Sequence, residues 1–303
     1  MNWSQLLNNQ QPFVQTSLEQ LINNQPSNLL YPLQDFSVLA VTGPDRYSFL
    51  QGQVTCDSTR LENDENLLGA CLNLQGRIEA SFIAFTESDR ILLLLPSQQR
   101  EHLKSLWQKY VLFSQVSLED EDTLFAYLFW SNQADASQGY SPPQSSDVNL
   151  NLANQAQISQ LLDSHTLGNP NEAMAVTSRN GLYLVEENQR GSYLPQELNY
   201  DQNDGISFNK GCYKGQEVVA RIHFKGQVKQ RLIGFYSPVQ TQPGASVFHS
   251  QKKCGEVIQA IPMGQGCCGC LLVKTSESES KALCLEQNDG PELQLLAPPY
   301  AIT

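Results

Sequence analysis

The chain has few charged side chains and no long apolar run. Asp, Glu, Lys and Arg make up 17% of its 303 residues, where about 25% is usual for a soluble domain. The longest strongly apolar run, residues 91–95, is far shorter than the roughly 20 residues that a membrane-spanning helix needs. The first residues also lack the basic start and apolar block of a secretory signal. These absences predict a cytoplasmic location and no membrane partner.

Positive charge is also scarce. The chain has 19 Lys and Arg against 31 Asp and Glu, which gives a net charge of −12. A field of that sign repels phosphate backbones, so it argues against a general nucleic-acid binder, although an acidic protein can still carry one basic site. In a reducing cytoplasm the eight cysteines are expected as thiols, metal ligands or a catalytic group rather than as disulfides.

The first two thirds of the chain alternate strand and helix patterns. Leu103, Trp107 and Tyr110 lie on one face of a predicted helix, for which Ser97 is a candidate N-cap. A weaker helical pattern covers residues 153–162. Short apolar runs bounded by turn residues indicate antiparallel strands between the helices, so we predict an α+β fold. The predicted strands are residues 36–41, 67–72, 78–85, 91–95, 111–116 and 124–130.

The pattern changes after Arg231, where short strands follow one another between turn residues. This change predicts a small C-terminal antiparallel β-barrel or sandwich. Its predicted strands are residues 232–236, 246–248, 255–261, 268–273 and 283–286. We therefore divide the chain into a lead-in (1–30), a main region (31–230) and a C-terminal barrel (231–303). A surface loop is expected near residues 131–150, which are rich in Ser, Gln and Pro.

One segment, around Cys212, has the residue pattern of a reactive site. Cys212 is flanked by Gly211 and Gly215, so the backbone there can turn sharply and approach a ligand closely. The residues from Gln216 onward have helical composition, which would place Cys212 just before a helix N-terminus. The partial positive charge of that terminus, with Lys210 beside the cysteine, favours the thiolate form. The other interpretation is a small packed cysteine, because free cysteine is among the most buried residue types.

The same segment concentrates the positive charge of the chain. Six basic residues lie within 22 positions, and the same stretch contains one acidic residue, Glu217. They suit an anionic small molecule or a short piece of nucleic acid, and the alternative is an ordinary solvated face. The six are Lys210, Lys214, Arg221, Lys225, Lys229 and Arg231.

Residues 210–217, Lys-Gly-Cys-Tyr-Lys-Gly-Gln-Glu, resemble the signature of the YgfZ family of folate-binding proteins. This family is related to the T-protein of the glycine cleavage system and includes iron–sulfur assembly factors. The resemblance is specific because several separated motifs agree in order over most of residues 35–235. The other matching blocks are Thr42-Gly43-Pro44-Asp45-Arg46, Gly76-Arg77-Ile78, Leu194-Pro195-Gln196-Glu197-Leu198-Asn199 and Gly205-Ile206-Ser207-Phe208.

The resemblance implies a fold and a role. The fold would be T-protein-like, with several subdomains of antiparallel sheet and helix, and residues 31–230 would form a region whose central cavity binds tetrahydrofolate. Cys212 would lie near the mouth of that cavity. The role would be to assemble or repair iron–sulfur proteins, including an enzyme that thiolates tRNA, so iron–sulfur enzymes or assembly factors are the expected partners. Direct contact with nucleic acid is not expected.

The resemblance also implies individual contacts. Phe36 stands where the family has an aromatic that stacks on the folate, which needs an aromatic face. Glu197 is the carboxylate best placed to accept N–H groups of the pterin, and the basic segment would meet the anionic glutamate tail. The cofactor-binding residues expected in and after the signature are Lys210, Tyr213, Gln216, Glu217 and Arg221.

The chain departs from the sequence patterns of its relatives at two places. True aminomethyltransferases carry paired aspartates where this chain has Ala80 and Ser81, so the carboxylate that would polarise the folate amine is missing. A second tryptophan of the YgfZ family aligns near Ala173, where this chain has no aromatic residue. A folate-dependent one-carbon transferase is therefore one alternative function, disfavoured by Ala80 and Ser81. A direct tRNA-binding module using residues 210–231 is another, disfavoured by the net charge.

The remaining cysteines suggest a metal site only at first sight. Cys267, Cys268 and Cys270 are close in sequence, with Cys254 and Cys284 nearby. Structural zinc usually takes two C-x(2–4)-C pairs or one pair with histidines. On a strand Cys268 and Cys270 point to one face and Cys267 to the other, so the three do not converge. Packed strand thiols are the favoured interpretation, although an iron–sulfur ligand set is not excluded.

Overall fold

The computed structural model describes residues 3–7, 12–131, 139–145, 147–278, 282–287 and 289–302. These residues form two open sheets, a closed barrel and helices around them. None of the helices in these ranges is long and apolar enough to span a bilayer. The helices are α1 Trp3–Leu7, α2 Leu18–Asn23, α3 Arg46–Gln51, α4 Arg100–Val111, α5 Gln155–Ser164, α6 Ala173–Arg179 and α7 Gln216–Lys225.

The strands fall into three groups. The first nine are β1 Leu29–Pro32, β2 Phe36–Thr42, β3 Leu67–Leu72, β4 Ile78–Glu87, β5 Arg90–Pro96, β6 Ser117–Glu121, β7 Phe125–Trp130, β8 Val148–Ala153 and β9 Thr166–Leu167. The last six are β10 Gln230–Ser237, β11 Ser246–His249, β12 Lys252–Met263, β13 Gly266–Lys274, β14 Leu283–Leu285 and β15 Glu292–Leu296.

The first sheet has the order β3-β4-β5-β2-β6 and is antiparallel throughout. Its central strands, β2, β4 and β5, are mostly apolar because both of their faces are covered. Leu94 packs into the main core on one face, while Leu93 belongs to a second core beneath α4. There the ring of Trp107 meets Phe49 and Phe82 edge-on, at centroid distances of 5.7 and 6.4 Å.

The second sheet has the order β8-β7-β1-β9, in which only the β1–β9 pair is parallel. Its outer face is covered by α5 and by the first helix, whose Trp3 stands edge-on to Phe125 at 5.3 Å. Its inner face joins the main core through Leu128 and Leu150. That core also contains residues of the first sheet and of the barrel, so the three units share one apolar interior.

The six C-terminal strands close into a barrel in the order β10-β13-β12-β11-β14-β15, which confirms the predicted C-terminal barrel; strand β15 was not predicted. Cys267 lies in the core inside the barrel, whereas Cys268 and Cys270 face the main core. The opposed faces are as predicted. Across the described residues, no group of three or more His, Cys, Asp and Glu side chains could hold a metal ion.

Two local predictions are wrong. Residues 111–116 do not form a strand, because α4 extends the Leu103–Trp107 periodicity as far as Val111 and the next strand begins only at Ser117. Ser97 does not cap α4, since it begins a short 3-10 turn and the helix starts at Arg100. Of the predicted surface loop, residues 132–138 and 146 lie outside the described ranges, and β8 occupies 148–153.

The segment 180–215 carries the chain from α6 to α7 with little regular structure. Much of it is buried, so its polar groups are matched by backbone bonds in turns and by side chains instead of by a strand ladder. Asn199 Nδ2 donates to the Leu232 carbonyl at 2.8 Å, and the Tyr200 hydroxyl donates to the Tyr183 carbonyl at 2.8 Å. The segment is thereby fixed between the first sheet and the barrel, and it ends at the cysteine-bearing turn.

Candidate functional site

The cysteine loop, residues 209–215, precedes helix α7, and the helix begins at Gln216 as predicted. Gly215 has φ +83°, and a Cβ there would stand 2.5 Å from the carbonyl oxygen of Asn73. Both the left-handed backbone and the close approach require glycine. Gly211 has open space around its Cα. The loop is therefore tightly held at its end and open near Cys212.

Cys212 differs from the other seven cysteines in its exposure. Six are buried, Cys284 is half-buried, and Cys212 is exposed. Burial raises the pKa of the Cys56 thiol to about 11 and that of Cys270 to about 12. A buried thiol with a raised pKa is a poor nucleophile, because the thiolate is the reacting form. Cys212 is thus the cysteine best placed to react with another molecule.

Lys210 faces inward rather than toward an anionic ligand. Its Nζ donates to the carbonyl oxygens of Val54 at 2.8 Å and Cys56 at 2.6 Å, and it lies 5.1 Å from the centroid of the Tyr213 ring. Burial lowers the pKa of Lys210 to about 8. The expectation that Lys210 is free to flank the thiol is corrected: its ammonium group anchors the cysteine loop to residues 54–56.

Tyr213 is the second anchor of the loop. Its side chain is 7% exposed and belongs to the main core, and burial raises the pKa of its hydroxyl. Of the other predicted motif residues, Gln216 is half-buried at the first turn of α7, while Glu217 and Arg221 are exposed on the helix. The structure therefore brings the motif residues together around Cys212, but Tyr213 points into the protein.

The fold divides the six cations of the basic segment into two that are bound within the protein and four that have no nearby carboxylate. Arg231 is 2% exposed and forms a two-point ion pair with Asp201, at 2.7 and 3.0 Å, because its strand faces the main region. Arg231, like Lys210, is therefore unavailable to a ligand, which corrects the expectation of six free cations. In the described parts of the chain no carboxylate oxygen lies within 4.0 Å of the other four, Lys214, Arg221, Lys225 and Lys229.

Phe36 lies between a closed pocket and an open groove. The pocket has a volume of about 10 Å³ and apolar walls that include Leu184 and Met174; Ala173, beside Met174, is buried. The groove on the other side has a volume of about 540 Å³ and is lined by Asp35 and Glu121 among others. Aromatic surface is present here, but the closed pocket is far below the roughly 300 Å³ of a small-molecule site.

Glu197 does not share a cavity with Phe36. Its Oε2 accepts a hydrogen bond from the Leu194 backbone N–H at 2.8 Å, and burial raises the pKa of the carboxyl. It borders an open groove of about 490 Å³ together with Lys229 and Lys274. No residue lines both this groove and the pocket at Phe36. Phe36 and Glu197, which were expected to contact the same folate, thus line different cavities.

The position of the missing carboxylates is filled by other contacts. Ser81 is buried, and its Oγ accepts the Val185 backbone N–H at 2.8 Å. Ala80 points to the opposite face, into the second core. Neither side chain can act as a general base, so the geometry has no group for aminomethyl transfer at this place.

An aromatic cluster at the end of α7 was missed by the sequence reasoning. The His223 ring stacks on Phe208 with centroids 3.7 Å apart, and Phe224 stands edge-on to His223 at 4.7 Å. Phe224 is 68% exposed. Adjacent aromatic residues at the end of a basic helix were a signal for it, but Phe208 is distant in sequence and only the fold reveals the stack.

We expect a single fast-reacting thiol in the native protein. Ellman's reagent or iodoacetamide should modify Cys212 rapidly and Cys284 slowly, and the six buried thiols only after denaturation, because reaction requires access to the sulfur. Cys212→Ser should abolish the fast phase, whereas the matched control Cys284→Ser should leave it intact. Rapid modification of several thiols would contradict the assigned burial.

Lys210 should make stability depend on pH in a specific direction. Its pKa is about 8 in the folded protein and 10.5 for the ordinary group. Between these values the unfolded chain binds more protons, so the contribution of Lys210 to the free energy of unfolding rises with pH. Relative to Lys210→Met, the wild type should gain about 2 to 3 kcal/mol between pH 7 and pH 10.

Urea denaturation at intervals of half a pH unit measures this difference. Lys225→Met is the matched control, because Lys225 is exposed on α7, and its difference from the wild type should stay constant with pH. A constant difference for Lys210→Met as well would show that Lys210 is not held against the carbonyls in solution.

The chain is similar in sequence to known proteins. No protein-family model matches it. It is 32% identical over 251 residues to a tRNA-modifying protein YgfZ of Vibrio atlanticus, covering 77% of this chain and 75% of the relative. It is 24% identical over 304 residues to the tRNA-modifying protein YgfZ of Escherichia coli O7:K1, covering 90% and 93%.

The fold agrees with a solved structure. The glycine cleavage system aminomethyltransferase T of Bartonella henselae superposes with a TM-score of 0.71 at 15% identity, covering 93% of this chain and 88% of that protein. This likeness confirms the predicted T-protein-like fold and, at that identity, shows the fold alone. The identity to the Vibrio protein over three quarters of both chains shows the family as well. The chain belongs to the YgfZ family of tRNA-modifying proteins.

Proposed function

We propose that this chain is an accessory protein that supports the assembly or repair of iron–sulfur enzymes, and through them the modification of tRNA. Its working group is the Cys212 thiol, used in redox or thiol chemistry on the partner. The observation that carries the proposal is the exposure of Cys212, the one exposed cysteine of eight, on a loop anchored by Lys210 and Tyr213 directly before a helix.

The surroundings of Cys212 support a role toward another macromolecule. The open space around Gly211 leaves room for a partner to approach. Three cations near the loop or along the following helix, Lys214, Arg221 and Lys225, are not committed to carboxylates in the described chain. A one-carbon transferase is the weaker candidate, since Ser81 is engaged with Val185 and supplies no carboxylate.

Tetrahydrofolate is the ligand that we propose for the region of Phe36, on the resemblance to the family. The pocket there fits in chemistry, because an aromatic ring and apolar walls suit a flat ring system. It does not fit in size, since about 10 Å³ holds no ring. Binding therefore requires Met174, an unbranched and adaptable side chain, to move aside. We assign no chemical step to folate.

Cys212→Ser is expected to fold normally and to lose function. The substitution replaces one exposed atom, and such surface changes alter the free energy of unfolding by about 0.5 kcal/mol or less. In a strain that lacks the chromosomal gene, the variant should leave tRNA thiolation and iron–sulfur enzyme activities at the level of the empty vector. Cys284→Ser, the matched control, should restore both. Full complementation by Cys212→Ser would overturn the role of the thiol.

Folate binding is tested by anaerobic calorimetric titration of the purified protein with tetrahydrofolate. The wild type should bind saturably, and Phe36→Leu, which keeps apolar bulk and removes the aromatic face, should bind about tenfold more weakly. Met174→Ala should bind more tightly than the wild type because it widens the pocket. Absence of binding in both the wild type and Met174→Ala would show that this chain has no folate site at Phe36.

A further inference from the structure

Helix α7 presents an ordered apolar residue to solvent. Val219 is buried on its inner side, whereas Phe224 and Lys225 are exposed. The Phe224 ring is 68% exposed, yet its edge contact with His223, which stacks on Phe208, holds it in place. A side chain that is already ordered loses little conformational entropy on binding, so it is well suited to an interface.

A second exposed apolar residue adjoins the start of the helix. Leu74 is 74% exposed, in the turn between β3 and β4. That turn packs closely on α7: a Cβ on Gly215 would stand 2.5 Å from the Asn73 carbonyl oxygen, and one on Gly76 would stand 2.8 Å from Val218 Cβ. The turn and the end of the cysteine loop thus both adjoin the first turn of α7, and Phe224 lies at the other end of the same helix.

We call this surface the docking face. It combines two exposed apolar side chains, one exposed thiol and three cations, against one exposed carboxylate on the helix, Glu217. The cations have no carboxylate within 4.0 Å among the residues that the structure describes, whereas Arg60, Arg90 and Arg100 elsewhere are paired. The members of the docking face are Leu74, Cys212, Lys214, Arg221, Phe224 and Lys225.

We propose that the docking face binds an acidic protein surface with an apolar recess, carried by the iron–sulfur enzyme that this chain serves. The inference rests on the proposed function and adds to it how the partner is recognised. Phe224 would fill the recess while Arg221 and Lys225 meet the acidic rim, since aromatic and arginine side chains are the residues that most often dominate interfaces.

The charge distribution of the chain determines which of its surfaces an acidic partner approaches. The chain as a whole carries −12, so an acidic partner is repelled over most of the molecule and attracted where unpaired cations cluster. Complementary charge of this kind orients partners and speeds association. A nucleic acid would extend its phosphates beyond these few cations into the same negative field, so the docking face favours a compact acidic patch over an RNA strand.

Calorimetric titration of the full chain with the purified tRNA-thiolating iron–sulfur enzyme tests the docking face, with total tRNA as a separate titrant. Phe224→Ala should weaken binding to the enzyme by about tenfold or more, because truncating an interface anchor has that effect. The double variant Arg221→Glu/Lys225→Glu should weaken it further and remove its dependence on salt.

Matched controls lie elsewhere on the surface. Phe113→Ala removes an aromatic side chain that is 87% exposed, and Lys252→Glu/Lys253→Glu reverses two exposed cations of the barrel; both should bind like the wild type. Wild-type affinity in the Phe224 and Arg221/Lys225 variants, or no saturable binding by the wild type, would overturn the docking face. Loss of binding to tRNA but not to the enzyme in those variants would make it a nucleic-acid surface and overturn the proposal.

The docking proposal and the thiol proposal fail in different ways. If the Phe224 and Arg221/Lys225 variants lose enzyme binding while Cys212→Ser still supports tRNA thiolation in cells, docking stands and the role of the thiol falls. If Cys212→Ser loses function while the docking variants bind and function normally, the thiol role stands and docking falls.

Discussion

The buried segment between α6 and α7 imposes the constraint on which the site depends. Residues 180–215 pass between the first sheet and the barrel without a strand ladder, so each of their peptide groups must find another partner. Asn203 Nδ2 donates to the Gly181 carbonyl at 2.9 Å, and Tyr300, near the C-terminus, donates to the same oxygen at 2.9 Å. This network holds the chain in one path and delivers the cysteine loop to the surface.

Two further contacts keep the loop there. Lys210 binds carbonyl groups of residues 54–56 and Tyr213 enters the main core, on either side of Cys212. A loop fixed at both sides can expose one residue without becoming disordered, which suits a group that must meet a partner in a defined geometry. The residues of the motif therefore have different roles. Lys210 and Tyr213 hold the loop in position, and Cys212 is exposed to solvent.

Packed side chains fill the interior beside β4 and Phe36. The fold brings β4 and the segment after α6 together, so that Ser81 binds the Val185 backbone, and the pocket beside Phe36 has a volume of only about 10 Å³. Met174 and Leu184 line that pocket together with Phe36, so little space is left between their side chains. Cys212, Phe224 and Leu74 lie outside that interior, in the cysteine loop, on α7 and in the turn before β4.

The sequence by itself determined most of the helices and strands, the C-terminal barrel, the family and the order glycine, cysteine, helix, because periodicity, turn residues and separated motifs are short-range properties. It did not predict the strands β1, β8, β9 and β15. It was wrong at residues 111–116, where the helix ends at Val111 and a turn leads to the strand that begins at Ser117. Only the tertiary structure decided which cations are free: Lys210 and Arg231 find partners at residues 54–56 and at Asp201 that lie about 30 or more positions away. It alone also separated Glu197 from Phe36, since burial and cavity shape arise from contacts between distant segments.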